Sequence, residues 1–472
     1  MKNIPFVLWK RRLLSVVGGA FFIAGVATPT QATSLSEALA MSYRTNPDLQ
    51  AARRALGAVN EGVPQALAGW RPNVNVQASA GQQRVDQQDS TFSEEETTTP
   101  LSGRFEVEQP LYRGGRTSAS TQRAVSNVGA ERARLLDTEQ DVLLRTVRAY
   151  MDVWRDQAIL RLNKSNVEVL RRQLEATQDR FDVGEVTRTD VSQAESRLSR
   201  AIADRVAARG QLQASRAAYQ EVVGRPPEKL ADPKPPTTLP ANLDKVIEIA
   251  RSQNPQVRAA RFSELAARKN VRAVSGELLP EASLLGRASK SANQSSSDSE
   301  REVFELLAQV TIPLYQSGAV YSRVREAKQT ANQRRLELRS ARRTVEQEAV
   351  NAWEDLKAAQ AQIQAFQDQV ESAEIALEGV RQENQVGART VLDVLDAEQE
   401  LLNAQVDLVR AQRDEIVANY TVLFSLGRLT ADARDLPVEV FNVEDAFKKV
   451  RDKIWGRNLP SVYDDQSASS NE

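Results

Sequence analysis

Carboxylates are the side chains through which this sequence could do chemistry, because it contains no histidine and no cysteine. Without histidine there is no Ser-His-Asp triad, histidine metal site or ordinary proton shuttle. Without cysteine there are no disulfides, thiolate metal sites, cysteine nucleophiles or lipid-anchored cysteine. The best paired acids are Asp393 and Asp396, which lie three residues apart and would share one helix face. From spacing alone, such a pair is a solvated face as readily as a functional one. We predict no catalytic residue, metal or cofactor.

The composition limits the class of protein further. The 472 residues are 26% charged and only 5% aromatic, and the mean hydropathy is −0.46. The chain is therefore too hydrophilic for a multi-span helical membrane protein. Residues 1–32 contain four basic and no acidic side chains, so the remainder has 58 basic against 63 acidic. This net charge of −5 gives no reason to expect nucleic-acid binding.

The N-terminus has the pattern of a secretory signal. Basic residues at 10–12 precede the mostly apolar run Leu13–Ala27, and Thr30–Ala32 has small residues at a cleavage spacing. A membrane anchor is the alternative, but the run is shorter than the ~20 residues that a span needs. We predict a signal peptide at 1–32, cleaved after Ala32, so that the mature protein leaves the cytoplasm.

The rest of the chain contains an internal duplication. Four short strings recur in the same order, the last three at an offset of 203 residues and the first at 208. We predict repeat 1 at 33–228, a Pro-rich linker at 229–241, repeat 2 at 242–430, and a C-terminal periplasmic segment at 431–472 with a disordered tip. The strings are Asn46-Pro47 and Asn254-Pro255, Pro110–Tyr112 and Pro313–Tyr315, Val183-Gly184 and Val386-Gly387, and Gly224-Arg225 and Gly427-Arg428.

Each repeat predicts a helix, two strands, a very long helix, a turn and a returning helix. Apolar and polar residues alternate in the strands at 73–80, 104–111, 282–288 and 304–312. We expect polar loops at 87–102 and 291–301. From 117 to about 180 there is no Pro and one Gly, and apolar residues recur every seven positions. This period is typical of a coiled coil, and ~65 helical residues span about 100 Å.

Four strands per chain constrain the assembly. Isolated hairpins are marginally stable, and a sheet in a bilayer must close into a barrel. Two chains would supply eight strands and three would supply 12. An eight-stranded barrel is filled by its own side chains, so a polar inner face favours 12 strands and a trimer. The predicted inner-face residues are Asn75, Gln77, Ser79, Glu106, Glu108, Arg287, Ser289, Glu305 and Gln309.

Two related strings carry a family resemblance. The first is Phe-Asp-Val-Gly followed by Asp-Val and Ala-Glu at 181–195, and the second is Val-Gly-Ala-Arg-Thr-Val-Leu-Asp-Val-Leu-Asp at 386–396. With them the chain resembles the TolC family of outer-membrane efflux proteins from about residue 35 to 430. The resemblance implies a homotrimer with a 12-stranded β-barrel in outer-membrane lipid and a long coiled-coil α-helical barrel crossing the periplasm. Fold class is thus mainly α with β. It also implies a helical tip that opens when a periplasmic adaptor (membrane fusion) protein and an inner-membrane transporter dock.

The same resemblance suggests roles for residues near the two turns. Asp393 and Asp396 match an acidic ring at the periplasmic entrance, which would favour cations. Thr189, Asp190 and Arg389 match positions that link the hairpins in the closed state, and Asn384 stands where the family example has tyrosine. The turns themselves match the tips that adaptors grip, namely Val183, Gly184, Val386 and Gly387.

The predicted function is a trimeric exit duct for tripartite efflux pumps, type I protein secretion, or both. The alternative is a periplasmic coiled-coil structural or adaptor protein without a pore, which would leave the strands unexplained. A carboxylate-based enzyme is a third hypothesis, but no paired acids outside the tip recommend it. The sequence leaves the cargo open among drugs, proteins, polysaccharides and siderophores.

Overall fold

The computed structural model describes residues 32–89, 92–236, 239–294 and 298–458. The predicted signal peptide, except its last residue, and the predicted disordered tip beyond 458 lie outside them. The described chain is mainly helical with a smaller β part. Its helices are α1 (Leu35–Thr45), α2 (Pro47–Asn60), α3 (Gly62–Leu67), α4 (Arg116–Asp182), α5 (Arg188–Val223), α6 (Leu243–Gln253), α7 (Pro255–Ser275), α8 (Ala319–Gln385), α9 (Val391–Ser425) and α10 (Val443–Arg451). Its strands are β1 (Asn73–Ala80), β2 (Gln83–Asp89), β3 (Phe92–Thr98), β4 (Leu101–Arg113), β5 (Glu281–Ala292) and β6 (Glu300–Thr311).

Each Asn-Pro string ends one helix and begins the next. Asn46 is the residue between α1 and α2, and its side-chain oxygen accepts the backbone N–H of Asp48 at 3.0 Å. Asn254 does the same between α6 and α7, accepting from Gln256 at 2.8 Å. Proline follows at the first helical position, where its missing N–H would have no partner anyway.

Two long helical hairpins form most of the molecule. α4 and α8 each have 67 residues, and the returning helices α5 and α9 have 36 and 35. A helix of 67 residues is about 100 Å long, as the sequence predicted. The heptad positions explain the pairing, because they place one apolar seam against the neighbouring helices. Along α4 the seam residues Val128, Leu135, Val142 and Ala149 are all buried.

β1, β4, β5 and β6 form one antiparallel four-stranded sheet in the order β1-β4-β5-β6. On its polar face Glu106, Arg287 and Glu305 lie opposite one another on adjacent strands, and Arg287 forms ion pairs of 3.1 and 3.2 Å with both acids. The other face is apolar and exposed. β1 and β6 are the two edges of this sheet. Exposed residues on the apolar face are Val74, Val76, Phe105, Phe304, Leu306 and Val310.

One predicted loop is wrong. Residues 87–102 were expected to be a polar loop, but they contribute to β2, β3 and the start of β4. The β2–β3 pairing begins at Gln83 opposite Thr98, shortly after Ala80 pairs with Leu101. The β2–β3 pairing continues the register of the β1–β4 pairing. Its sequence lacks the alternation of apolar and polar residues that would indicate strands.

A buried core lies where the short helices and the C-terminal segment pack on α4. The chain around the start of this segment is held through its backbone: Leu429 and Ala431 donate N–H groups to the side-chain oxygens of Gln140 and Glu139 at 3.3 and 2.7 Å. Burial raises the pKa of Glu139. Among the described residues, no helix combines the length and the hydrophobicity that crossing a bilayer requires.

Candidate functional site: the helical hairpin tips

The two hairpins end in the same turn. Gly184 and Gly387 both have φ of 80°, a left-handed conformation that glycine adopts without strain. Gly387 and Ala388 donate N–H groups to the carbonyls of Asn384 and Glu383 at 3.1 and 2.8 Å. The bonds in the first turn have the same spacing. This pattern closes the last turn of α4 and α8 and reverses the chain, leaving Val183 and Val386 exposed at the ends.

A capping box then begins each returning helix. The Thr390 side chain accepts the N–H of Asp393 at 3.2 Å, and the Asp393 carboxylate accepts the Thr390 N–H and hydroxyl at 2.8 and 2.7 Å. Thr187 and Asp190 repeat the arrangement. The Thr390 hydroxyl and N–H hold the pKa of Asp393 below its ordinary value. Asp190 and Asp393 therefore position the turns, a use that the sequence analysis missed although Thr-x-x-Asp is a capping-box spacing.

Asp396 lies one turn farther along α9 and contacts the other hairpin. Its carboxylate forms an ion pair with the guanidinium of Arg197 on α5. Sequence reasoning missed Arg197, because only the packing of α5 on α9 brings the two side chains together. Asp393 and Asp396 thus have different surroundings within one chain, one bonded to its own helix start and the other to the first hairpin.

Asn384 also joins the hairpins. Its side-chain oxygen accepts from Arg180 of α4 at 3.4 Å, and its amide donates to the Arg389 carbonyl at 2.8 Å. The Arg389 guanidinium pairs instead with Glu383 at 2.8 Å. Within one chain these contacts do not bring Arg389 to Thr189 or Asp190, and Thr189 is exposed.

A small apolar core lies directly beside these polar contacts. Ala194 of α5 and Val391 and Leu395 of α9 are buried in it, together with residues of α4. The hairpins are therefore packed side by side up to their tips. In the described part of the chain, no group of three or more acidic side chains is placed to hold a metal ion.

Comparison with known protein families finds a match in each of the two repeats. The model of the outer membrane efflux protein family matches residues 38–225 and 246–428. The chain belongs to the outer membrane efflux protein family. It is 33% identical to the outer membrane efflux protein BepC of Brucella suis over 449 residues, covering 94% of this chain and 97% of BepC. It is 28% identical to the outer membrane protein TolC of Vibrio cholerae, covering 84% and 92% of the two chains.

Further similarity is found to one more protein of known sequence and to two solved structures. The alkaline protease secretion protein AprF of Pseudomonas aeruginosa is 24% identical, with 92% of each chain covered. The outer-membrane channel OprN has a TM-score of 0.74 at 22% identity, covering 83% of this chain and 89% of its own. The Campylobacter jejuni CmeC channel has 0.76 at 15% identity, covering 89% of both. The structural matches confirm the fold. This chain is accordingly an outer-membrane efflux protein, an exit duct for efflux.

Proposed function

We propose that three copies of this chain form one continuous duct, with a 12-stranded barrel in the outer membrane and the helical hairpins in the periplasm. The observation that carries the proposal is the sheet: it has one apolar exposed face, one polar face, and two edges at β1 and β6. Open edges cannot remain in lipid. Pairing β1 of one copy with β6 of the next satisfies both edges, and a 12-stranded barrel leaves an aqueous lumen.

The periplasmic end of this duct is its gate. In a trimer the tips converge on one axis, and Asp393 contributes a ring of carboxylates that attracts cations and repels anions. The exposed turns at Val183-Gly184 and Val386-Gly387 are the surface to which a periplasmic adaptor binds, together with the inner-membrane transporter that it recruits. The channel performs no catalysis; its cargo is selected by the transporter.

Engineered cysteines test the assembly, because the natural chain has none. β1 and β6 are separated within one sheet by three strand spacings, about 14 Å, which is too far for a disulfide. We expect Asn75→Cys, combined in turn with Glu305→Cys, Leu307→Cys or Gln309→Cys, to give a covalent trimer on oxidation at one β6 position. Asn75→Cys with Arg287→Cys is the control, since β5 is not an edge. Absence of a covalent trimer at every β6 position would refute the proposed barrel.

A second measurement tests the duct itself. The purified trimer, inserted in a planar bilayer, should give a small resting conductance. The conductance should increase when the contacts between the hairpin tips are broken. A trimer that never conducts would instead support a coiled-coil protein without a pore.

A further inference from the structure

We infer that Arg197 is a closing link of this channel and also controls how many carboxylates its entrance presents. The inference rests on the proposed trimeric duct and deepens it. It begins from the Arg197–Asp396 ion pair, which joins α5 of the first hairpin to α9 of the second. Arg197 is outside the positions that the family resemblance associates with closure.

The packing around Arg197 explains why the pair forms. Ala194 and Ala201 lie three residues before and four residues after Arg197, so all three share one face of α5. Both alanines are buried against the core that contains Leu395, the residue before Asp396. Small side chains at these positions let α5 and α9 approach closely. Arg197 then reaches Asp396 across the edge of this core, and the pair stays partly exposed, at 38% and 57% of the two side chains.

The pair changes the charge of the entrance. Six carboxylates would surround the axis of a trimer if Asp393 and Asp396 were both free. In the closed hairpin arrangement each Asp396 forms an ion pair with an arginine. The ring then consists of the three Asp393 carboxylates, which are hydrogen-bonded to Thr390. Separating the hairpins breaks three pairs and releases the Asp396 carboxylates. The entrance therefore becomes more negative as it opens, which couples the width of the gate to its preference for cations.

A second polar contact joins the two hairpins at the tip itself. Arg180 reaches Asn384 from the first hairpin, and Glu185 holds the Arg180 guanidinium at 3.1 Å. This bond is between a cation and a neutral amide, so it leaves the count of carboxylates unchanged. Arg197 therefore affects both the closure of the hairpin tips and the number of free carboxylates at the entrance.

The test is the conductance of wild-type and variant trimers in planar bilayers, with Mg²⁺ added on the periplasmic side. Exposed ion pairs each change an equilibrium by roughly 1.4-fold to 5-fold, so losing three predicts a rise in resting conductance of about 3-fold to 125-fold. We expect Arg197→Gln to raise resting conductance and strengthen Mg²⁺ block, because it frees Asp396. Asp396→Asn should raise resting conductance but not strengthen block.

Arg200→Gln is the matched control. Arg200 is also on α5 and forms an ion pair, but its partner is Asp204 of the same helix at 3.1 Å. The Arg200→Gln variant should leave the resting conductance and the Mg²⁺ block unchanged. Exchanging the charges with Arg197→Asp and Asp396→Arg should restore a low resting conductance, which loss of folding could not do.

The outcomes separate the two proposals. If the wild-type trimer conducts and Arg197→Gln behaves like Arg200→Gln, the role of Arg197 is overturned while the duct stands. If Arg197→Gln raises conductance but block does not strengthen, the charge coupling is overturned. If wild-type protein forms no trimer or no channel, the proposed function fails first.

Discussion

Gly387 allows a quantitative test of the tip geometry. Its φ of 80° strains any side chain with a Cβ. Apart from its two chain neighbours, no described residue has an atom within 4 Å of the position that a Cβ would occupy. The effect of Gly387→Ala is therefore conformational, about 1–2 kcal/mol for a non-glycine residue in the left-handed region. The turn is otherwise retained, because two backbone bonds and the Thr390–Asp393 capping box still hold it. Asparagine tolerates this conformation better, so Gly387→Asn should cost less.

Hydrogen exchange measures this cost without a partner protein. The amides of residues 387 and 388 close the turn, so a loss of 1–2 kcal/mol should speed their exchange by about 5-fold to 30-fold. Amides in the middle of α8 serve as the internal control. Equal exchange in wild type and Gly387→Ala would refute the left-handed turn. Adaptor binding adds a second comparison: if the partner grips the bare glycine, Ala and Asn should both weaken binding, whereas pure strain should affect Ala more.

Three further outcomes follow from other contacts. Gly210 lies inside α5 with open space where a Cβ would be, so Gly210→Ala should stabilise each chain by about 1 kcal/mol in chemical unfolding; a loss would indicate that a neighbouring copy packs there. Because Thr390 lowers the pKa of Asp393, Mg²⁺ block through this carboxylate should persist below the ordinary aspartate range and fade only as pH falls through the lowered pKa. Thr390→Val should move that loss to higher pH in conductance titrations, and an unmoved midpoint would contradict the capping role. Asp156 is buried and accepts the Ser215 hydroxyl at 2.6 Å, so Asp156→Ala should destabilise the first hairpin by about 2–4 kcal/mol in urea unfolding, whereas Ser215→Ala should cost less.

The features that the sequence predicted well are those that local rules determine. Heptad spacing predicted the long helices to within a few residues, since residues seven positions apart return to nearly the same face of a helix. Asn46-Pro47 and Asn254-Pro255 marked helix boundaries because a cap and a proline restrict the backbone at the same point. Alternation predicted the four strands of the larger sheet, where each strand has two different faces.

Contacts between distant segments could not be predicted in the same way. The β2–β3 hairpin continues a register that is fixed elsewhere, and its sequence has the polar composition of a loop. The Arg197–Asp396 pair needs the relative rotation of two helices that are about 200 residues apart in the chain. Asp393 is the opposite case: its capping box follows from the local Thr-x-x-Asp spacing, whereas its place in the lumen stays a prediction from the family resemblance.

Comparison of the two repeats suggests why the second hairpin carries the separable contacts. At the offset of 203, Arg389 corresponds to Val186, which packs against the core beside the tip. Asn384 corresponds to Phe181, and Asp396 to Gln193. The backbone turn is the same in both repeats, so divergence has changed what surrounds it. Apolar packing must be exposed to water when it separates, whereas exposed polar groups exchange one partner for water at small net cost. Under the proposed gating, the second hairpin leaves its neighbour and returns, and polar links suit that movement. The polar links of this chain lie at the second tip, beside the apolar contacts of Val391 and Leu395.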